Sequence, residues 1–198
     1  QNVPIAVTAF GEAQLDAKFV QNLQSLSYDV PNVQLDGVGT APGYANFTIR
    51  GLGINSTIPS IDPTVGVFVD GIYLGINAGV VLDNFDLEGV EVLRGPQGLL
   101  FGRNVTGGAV SLRSARPSAI PYKRLSVGVS NGLGLDASAI LSGPVSDTIS
   151  ARLAVMQRAN AGLYENIDTG TEYGKSYVTI VRPSVKFEPS DTFDLTLL

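Results

Sequence analysis

Two arginines, Arg50 and Arg94, are the side chains whose setting most clearly suggests chemistry. Each precedes a glycine at the predicted end of a strand, and Arg50 is the only charged residue between Asp36 and Asp62. The sequence offers Arg94 only Glu91 as a nearby acid. A buried guanidinium needs a carboxylate, because an unpaired buried charge is costly. The repeated setting predicts that both arginines bind carboxylates on one facing surface; the alternative is two unrelated, solvated turn arginines.

The composition excludes several kinds of catalytic and metal site. The 198 residues include no Cys and no His, so the chain cannot build thiol chemistry, disulfides, a Ser-His-Asp triad or a His- or Cys-based metal site. A net charge of −5 argues against nucleic acid as a partner. We therefore predict that the chain is not an enzyme and that it holds no cofactor and no resident metal.

The two arginines depend on strands that end beside them. A strand over residues 46–49 leads into Arg50. Another, over residues 90–93, leads into Arg94 and is broken by Pro96, because proline has no N–H for a sheet ladder. A short turn or helix is predicted over residues 97–101, and a further strand over residues 109–113.

Upstream, a short strand is predicted within residues 3–10, followed by two helical segments. Apolar side chains recur there at helical spacing, at Leu15, Phe19, Leu23 and Leu26. Asn22 is a predicted N-cap for the second segment, and Pro31 ends it.

Charge-poor loops are the candidate ligand-binding surface. The loops around residues 39–45, 54–60 and 75–79 have little charge, and these loops and their edges contain Tyr44, Asn46, Asn55 and Asn77. Such residues suit recognition of a small polar ligand, although flexible connectors have the same composition. Between the last two loops, residues 64–69 predict a buried strand, and Asp70-Gly71 predicts a hairpin turn.

Residues 117–121 are a predicted linker, after which the pattern becomes a strict period of two. Strands with one apolar and one polar face are predicted around residues 125–129, 135–141, 149–155, 177–187 and 193–197. Short turns are predicted at residues 143–147 and 188–191, and a long polar loop at residues 160–175. This alternation is typical of an outer-membrane barrel and equally of a soluble antiparallel sandwich.

Three ordered motifs carry a resemblance to a known family. They are IRGLG at residues 49–53, VFVDGIY at residues 67–73, and a third region with VEVLRGP at residues 90–96, FGR at residues 101–103 and GGAV at residues 107–110. Together they resemble the plug domain of TonB-dependent outer-membrane receptors. The resemblance implies an α+β plug domain over residues 1–121, and the first antiparallel strands of a larger transmembrane β-barrel over residues 122–198.

The resemblance also implies a function and partners. It implies active import of a scarce nutrient, most of all a ferric siderophore, across the outer membrane of a Gram-negative bacterium. The partners would be the inner-membrane TonB complex, whose contact segment should lie upstream of Gln1, a small-molecule iron chelate and outer-membrane lipid. Arg50 and Arg94 match positions where the family pairs arginines with barrel-wall glutamates, a plug–barrel latch. Tyr44, Asn46, Asn55 and Asn77 would face the substrate.

A different class of function remains open at this point. A soluble, secreted β-rich binding or adhesion module would show the same strand pattern, with the meander as a sandwich. Within the family the substrate is also undetermined, because iron chelates, corrinoids, sugars and aromatic compounds all use this architecture. Gln1 opens within an apparent domain and Leu198 closes in mid-strand, so we expect the chain to be part of a longer protein.

Overall fold

The structure is a computed structural model that describes residues 6–18, 20, 22–38, 44–54, 58, 61–75, 83–130, 134–162, 164–190 and 192–198. The chain divides into two compact units, Gln1–Ala115 and Arg116–Leu198. The predicted boundary, after residue 121, lies later in the chain than the boundary between these units. Residues 118–121 belong to the second unit. There the Ser118 amide donates to the Ser142 hydroxyl at 2.8 Å.

The first unit is a mixed α/β structure. Its strands and helices, in chain order, are β1 (Ala6–Gly11), α1 (Glu12–Ala17), a 3₁₀ helix (Leu23–Tyr28), β2 (Val33–Gly37), β3 (Ala45–Ile49), β4 (Leu52–Gly53), β5 (Val65–Val69), β6 (Ile72–Leu74), β7 (Leu87–Arg94), α2 (Gly98–Phe101) and β8 (Gly108–Ser114). A five-stranded sheet has the order β1-β7-β8-β5-β6, with β5 and β8 parallel and the other pairs antiparallel. A second, three-stranded sheet has the order β2-β3-β4.

The main core of this unit lies on one face of the five-stranded sheet. It combines apolar side chains from that sheet with others from β2, β3, α1 and the 3₁₀ helix, among them Leu23, Leu26, Leu35, Ile49 and Val90, all fully buried. Each such side chain contributes about 1.5–3 kcal/mol by leaving water. A smaller cluster lies under the loop 95–107 and contains Phe68, Leu93, Val105 and Ala109.

The helical segments follow the sequence prediction with one difference. Asn22 is the N-cap, as predicted, because its side chain accepts a hydrogen bond from the Ser25 amide at 3.0 Å. Leu15, Leu23 and Leu26 are buried as the spacing required. The second segment is a 3₁₀ helix and not an α-helix, which is common in pieces this short. Phe19 lies outside the described residues.

The second unit is a meander. Its strands are β9 (Tyr122–Ser130), β10 (Gly134–Ser146), β11 (Ile149–Asn160), β12 (Tyr164–Glu165), β13 (Glu172–Tyr173), β14 (Ser176–Ser190) and β15 (Phe193–Leu197). The sheet order β15-β14-β11-β10-β9 is antiparallel throughout. β12 and β13 form a separate two-stranded hairpin.

Two predicted turns in this unit were wrong in extent, whereas the long loop between β11 and β14 lies where it was predicted. Residues 143–146 belong to β10 and not to a turn, because an irregularity between Pro144 and Ser146 accommodates the proline. Likewise β14 extends to Ser190. The long loop at residues 160–175 contains the β12–β13 hairpin.

Candidate functional site

Arg50 occupies the first position of a tight hairpin turn between β3 and β4. Ile49 and Leu52 are paired across this hairpin, and the two turn residues Arg50 and Gly51 have φ angles of 53° and 77°. Such turns favour Asn, Asp or Gly, because a positive φ is strained for a side chain as long as arginine's. The Arg50 amide donates to the Asn32 carbonyl at 2.8 Å, which fixes the turn. A strained residue retained at this position suggests a role for its side chain.

The guanidinium of Arg50 extends to the segment that follows β7. Its Nη1 atom lies 3.2 Å from the position that a Cβ atom would take on Gly95. Gly95 has a φ of 102° and directly follows Arg94. The structure therefore brings the Arg50 guanidinium to the residue next to Arg94.

Arg94 is half-buried at the end of β7 and contacts two other segments. Its Nη2 donates to the Thr8 hydroxyl at 3.3 Å, and its Nη1 to the Pro31 carbonyl at 3.4 Å. Its Nε is buried and has no hydrogen-bond partner. Because Asn32, which accepts the Arg50 amide, is the next residue after Pro31, both arginines meet the same short turn before β2.

Neither arginine pairs with a carboxylate in the part of the chain that the structure describes. Glu91, the nearby acid, instead pairs with Arg113 at 3.1 Å. The alternation of a strand explains this: Glu91 and Arg94 are three residues apart and point to opposite faces of the sheet. The guanidinium of Arg50 is exposed at the turn, and that of Arg94 retains a buried, unused donor.

Of the predicted substrate-facing residues, the structure describes Tyr44 and Asn46, and neither lies beside Arg50 at the hairpin turn. Tyr44 precedes β3 and Arg50 follows it, so the two are about 20 Å apart along an extended strand. Asn46 lies within β3 and not in a loop; its Oδ1 is buried without a partner, and it pairs across the strands with Asp36. Asn55 and Asn77 lie outside the described residues.

Asp70 has a structural role that the sequence indicated only in part. Asp70-Gly71 forms the predicted hairpin turn between β5 and β6, with φ angles of 51° and 82°. Beyond that turn, the Asp70 carboxylate accepts hydrogen bonds from both the amide and the hydroxyl of Ser114, at 2.8 Å and 2.7 Å. The local sequence gave no signal for Ser114, since β8 and the hairpin are distant in the chain.

The sheet of the second unit has the predicted apolar and polar faces. Its apolar face is exposed: the exposed fractions are 79% for Leu125, 68% for Val127 and 59% for Val181. On the other face Arg152 is buried, with its guanidinium 5.6 Å from the centre of the Tyr122 ring. Arg158 pairs there with Asp136. The sandwich alternative requires these apolar side chains to pack onto a second sheet. In the part of the chain that the structure describes, they do not.

Among the helices that the structure describes, none has the length and apolar character to cross a membrane.

Comparison with known proteins identifies the first unit. Residues 1–109 match the family described as "TonB-dependent Receptor Plug Domain". The pesticin receptor of Yersinia pestis is 29% identical over 190 residues, which are 94% of this chain and 28% of that receptor. The ferrioxamine B receptor of Salmonella typhimurium is 29% identical over 141 residues, 68% of this chain and 19% of that receptor.

Solved structures agree on the fold across both units. The ferric yersiniabactin uptake receptor from Yersinia pestis superposes with a TM-score of 0.85 at 23% identity, covering 94% of this chain and 29% of that one. The pyoverdine outer membrane receptor from Pseudomonas aeruginosa gives 0.79 at 17% identity, covering 98% and 27%.

These matches confirm the resemblance carried by the three sequence motifs and the predicted fold class. The chain spans less than a third of the length of the relatives named here. The matching family is one of receptors and not of enzymes. By its match over more than half of its residues, the chain belongs to the TonB-dependent receptor plug domain family.

Proposed function

We propose that this chain is the plug and the first barrel strands of a receptor that imports a ferric siderophore across the bacterial outer membrane. The observation that carries the proposal is the joining, in one chain, of a plug unit to a meander whose apolar face is exposed. A plug alone could belong to another assembly, and an apolar sheet alone could pack in a soluble protein. Their combination favours a barrel receptor.

The substrate class is supported by the relatives. Those with clear matches along most of this chain are named as receptors for pesticin and ferrioxamine, and a similar solved structure is a ferric yersiniabactin uptake receptor. The class of small molecule that recurs in these names is a ferric chelate. We assign such a chelate as the cargo of this receptor and not as a resident cofactor.

The second unit would place its exposed apolar face in lipid. Strands that span the outer membrane alternate apolar residues toward lipid with polar residues toward the lumen. Arg152, Arg158, Arg182 and Lys186 all lie on the face opposite to Leu153 and Val181, by the register of β11 and β14. The lumen face would therefore be polar and basic along these two strands.

Arg50 and Arg94 would form a latch between the plug and carboxylates of the barrel wall outside residues 1–198. The support is the strained turn that carries Arg50, the proximity of its guanidinium to Gly95, and the buried unused Nε of Arg94. Loss of one partner from a buried pair costs about 3–5 kcal/mol. The effects of removing both arginines should not add, because the two belong to one network.

The charge-poor loops of the first unit would contact the chelate. We retain Tyr44, Asn46, Asn55 and Asn77 as the substrate-facing residues, with the buried unpaired Oδ1 of Asn46 as the structural support for that residue. Energy would come from the TonB complex, acting on a segment upstream of Gln1. We retain the functional boundary between plug and barrel at residue 121, since β9 begins at Tyr122.

Uptake by cells tests this function directly. A strain lacking the receptor gene should fail to grow when one ferric siderophore is the only iron source, and the complete receptor should restore growth and radioactive iron uptake. Restoration should require an energised inner membrane and a TonB gene. Recovery of the protein in the soluble fraction without detergent would instead support the secreted binding module.

A further inference from the structure

The first strand of the plug has few side-chain contacts near its N-terminal end. β1 lies at the edge of the five-stranded sheet with β7 as its neighbour, in a register that runs from Ala6 opposite Arg94 to Gly11 opposite Gly89. In β1 the only buried side chain is that of Phe10, near the C-terminal end. Full side-chain burial is therefore confined to the second half of β1, whereas residues 6–8 are half-buried or exposed and pair with β7 through the backbone.

Arg94 supplies a side-chain attachment at this end of β1. Thr8 is opposite Val92, so its side chain lies on the same face as that of Arg94 and diagonal to it. The Arg94 guanidinium donates through Nη2 to the Thr8 hydroxyl and through Nη1 to the Pro31 carbonyl. One guanidinium thus bridges the edge strand to the turn that precedes β2, next to the residue that holds Arg50.

The same guanidinium has donors to spare. A guanidinium carries five N–H donors, and Nε of Arg94 is buried without a partner. The two hydrogen bonds that it does make, at 3.3 Å and 3.4 Å, are longer than the usual N–H···O range of about 2.7–3.2 Å. A carboxylate that binds through the free Nε would use a guanidinium whose orientation the Thr8 and Pro31 contacts fix, and the contacts therefore influence each other.

We infer that Arg94 is a positioning residue that couples the attachment of β1 to the latch. This inference rests on the latch under the proposed function. A displacement of the chain that begins upstream of Ala6 reaches the Thr8 hydroxyl before it reaches Phe10. Separation of residues 6–8 from β7 removes one of the two acceptors that orient the guanidinium and exposes its Nε to water. The ion pair between Arg94 and the carboxylate then becomes weaker. The latch then opens in response to movement of the first strand.

Hydrogen exchange in the complete, detergent-solubilised receptor tests the attachment. Thr8→Val keeps the shape of the side chain and removes the acceptor, so exchange of the β1 amides should accelerate by about tenfold. This factor corresponds to the weak end of the free-energy range for hydrogen bonds to charged groups. Thr8→Ser, which keeps the hydroxyl, should exchange as the parent does. Arg50→Met should leave β1 unchanged, because Arg50 has no described contact with that strand. Unchanged exchange in Thr8→Val overturns the inference.

Ion current through the same receptor in planar bilayers tests the coupling. Thr8 does not touch the barrel carboxylate under the latch proposal, so a purely structural Thr8 would leave the current unchanged. We expect more frequent opening in Thr8→Val, and no further increase when Thr8→Val is added to Arg94→Met. Faster exchange without more frequent opening overturns the coupling. If neither Arg50→Met nor Arg94→Met alters the current, the latch itself fails, whatever the exchange of β1 shows.

Discussion

The Nη1 atom of Arg50 lies 3.2 Å from the point where Gly95 would carry a Cβ atom. Gly95 also has a φ of 102°, a conformation that residues with side chains rarely adopt. The guanidinium of one predicted latch arginine therefore rests on the backbone beside the other, at a position that only glycine fills without strain.

Gly95→Ala should move the Arg50 guanidinium and strain the chain at the end of β7. We expect a loss of about 1–2 kcal/mol in the free energy of unfolding, the scale for alanine where φ is positive. We also expect more frequent opening of the complete receptor in planar bilayers. Gly98→Ala is the matched control, because nothing lies within 4 Å of its added methyl group and the site is in the short helix α2. Equal behaviour of the two variants would contradict the role assigned to Gly95.

Arg50→Asn should change stability and latching in opposite directions. Asparagine tolerates the positive φ of this turn, so the free energy of unfolding of the first unit by itself should rise by about 0.5–1 kcal/mol. Retention of the plug should fall, because the guanidinium is lost. Denaturant unfolding and ion current measure the two effects. Arg50→Lys keeps the charge and the strained turn but cannot donate two parallel hydrogen bonds to one carboxylate. An ion current equal to that of the parent receptor would therefore argue against bidentate pairing by Arg50.

The sequence predicted the strands beside both arginines, but not their surroundings. The Arg50-Gly51 and Arg94-Gly95 settings were visible because glycine and proline mark strand ends locally. The approach of Arg50 to Gly95 depends on how the β2-β3-β4 sheet packs on the larger sheet, and the approach of Arg94 to Thr8 depends on the pairing of β1 with β7. Such contacts join residues far apart in the chain, and no local pattern encodes them. Glu91 illustrates the opposite case, since simple alternation already directs it away from Arg94.

The second unit was more fully predictable, because a period of two determines which residues share a face. The positions at which its strands end were less predictable. The prolines at residues 144 and 189 suggested turns, yet β10 and β14 continue through them. β10 accommodates its proline with a register shift, and β14 has a shift between Phe187 and Ser190. An irregularity of this kind depends on the partner strand, and a proline in the sequence does not by itself distinguish it from a turn.

Asp70 and Ser114 should be energetically coupled. Asp70→Ala removes a carboxylate that accepts two hydrogen bonds from Ser114, one of them from a buried hydroxyl, so we expect a loss of about 2–3 kcal/mol in the free energy of unfolding. Ser114→Ala removes the hydroxyl alone and should cost about 1 kcal/mol. In the double variant the losses should fall short of their sum. Asp62→Ala, at an exposed position without a described hydrogen bond, is the control and should change stability little.

Val127 and Ser126 offer a direct test of which face of the second sheet meets lipid. They are neighbours near the middle of β9, both exposed, and they point to opposite faces. In a bilayer Val127→Arg should cost about 2–4 kcal/mol, the penalty for a cation on the lipid face near the midplane, whereas Ser126→Arg would meet water in the lumen. The amount of heat-modifiable, folded receptor in outer-membrane fractions should therefore fall for Val127→Arg and stay near the parent level for Ser126→Arg. Both substitutions introduce the same side chain into the same strand without opening a cavity, and differences in strand propensity, which span about 1 kcal/mol, are smaller than the lipid penalty. Equal assembly of the two variants would contradict a lipid-facing apolar surface, and poorer assembly of Ser126→Arg would reverse the assignment of the faces.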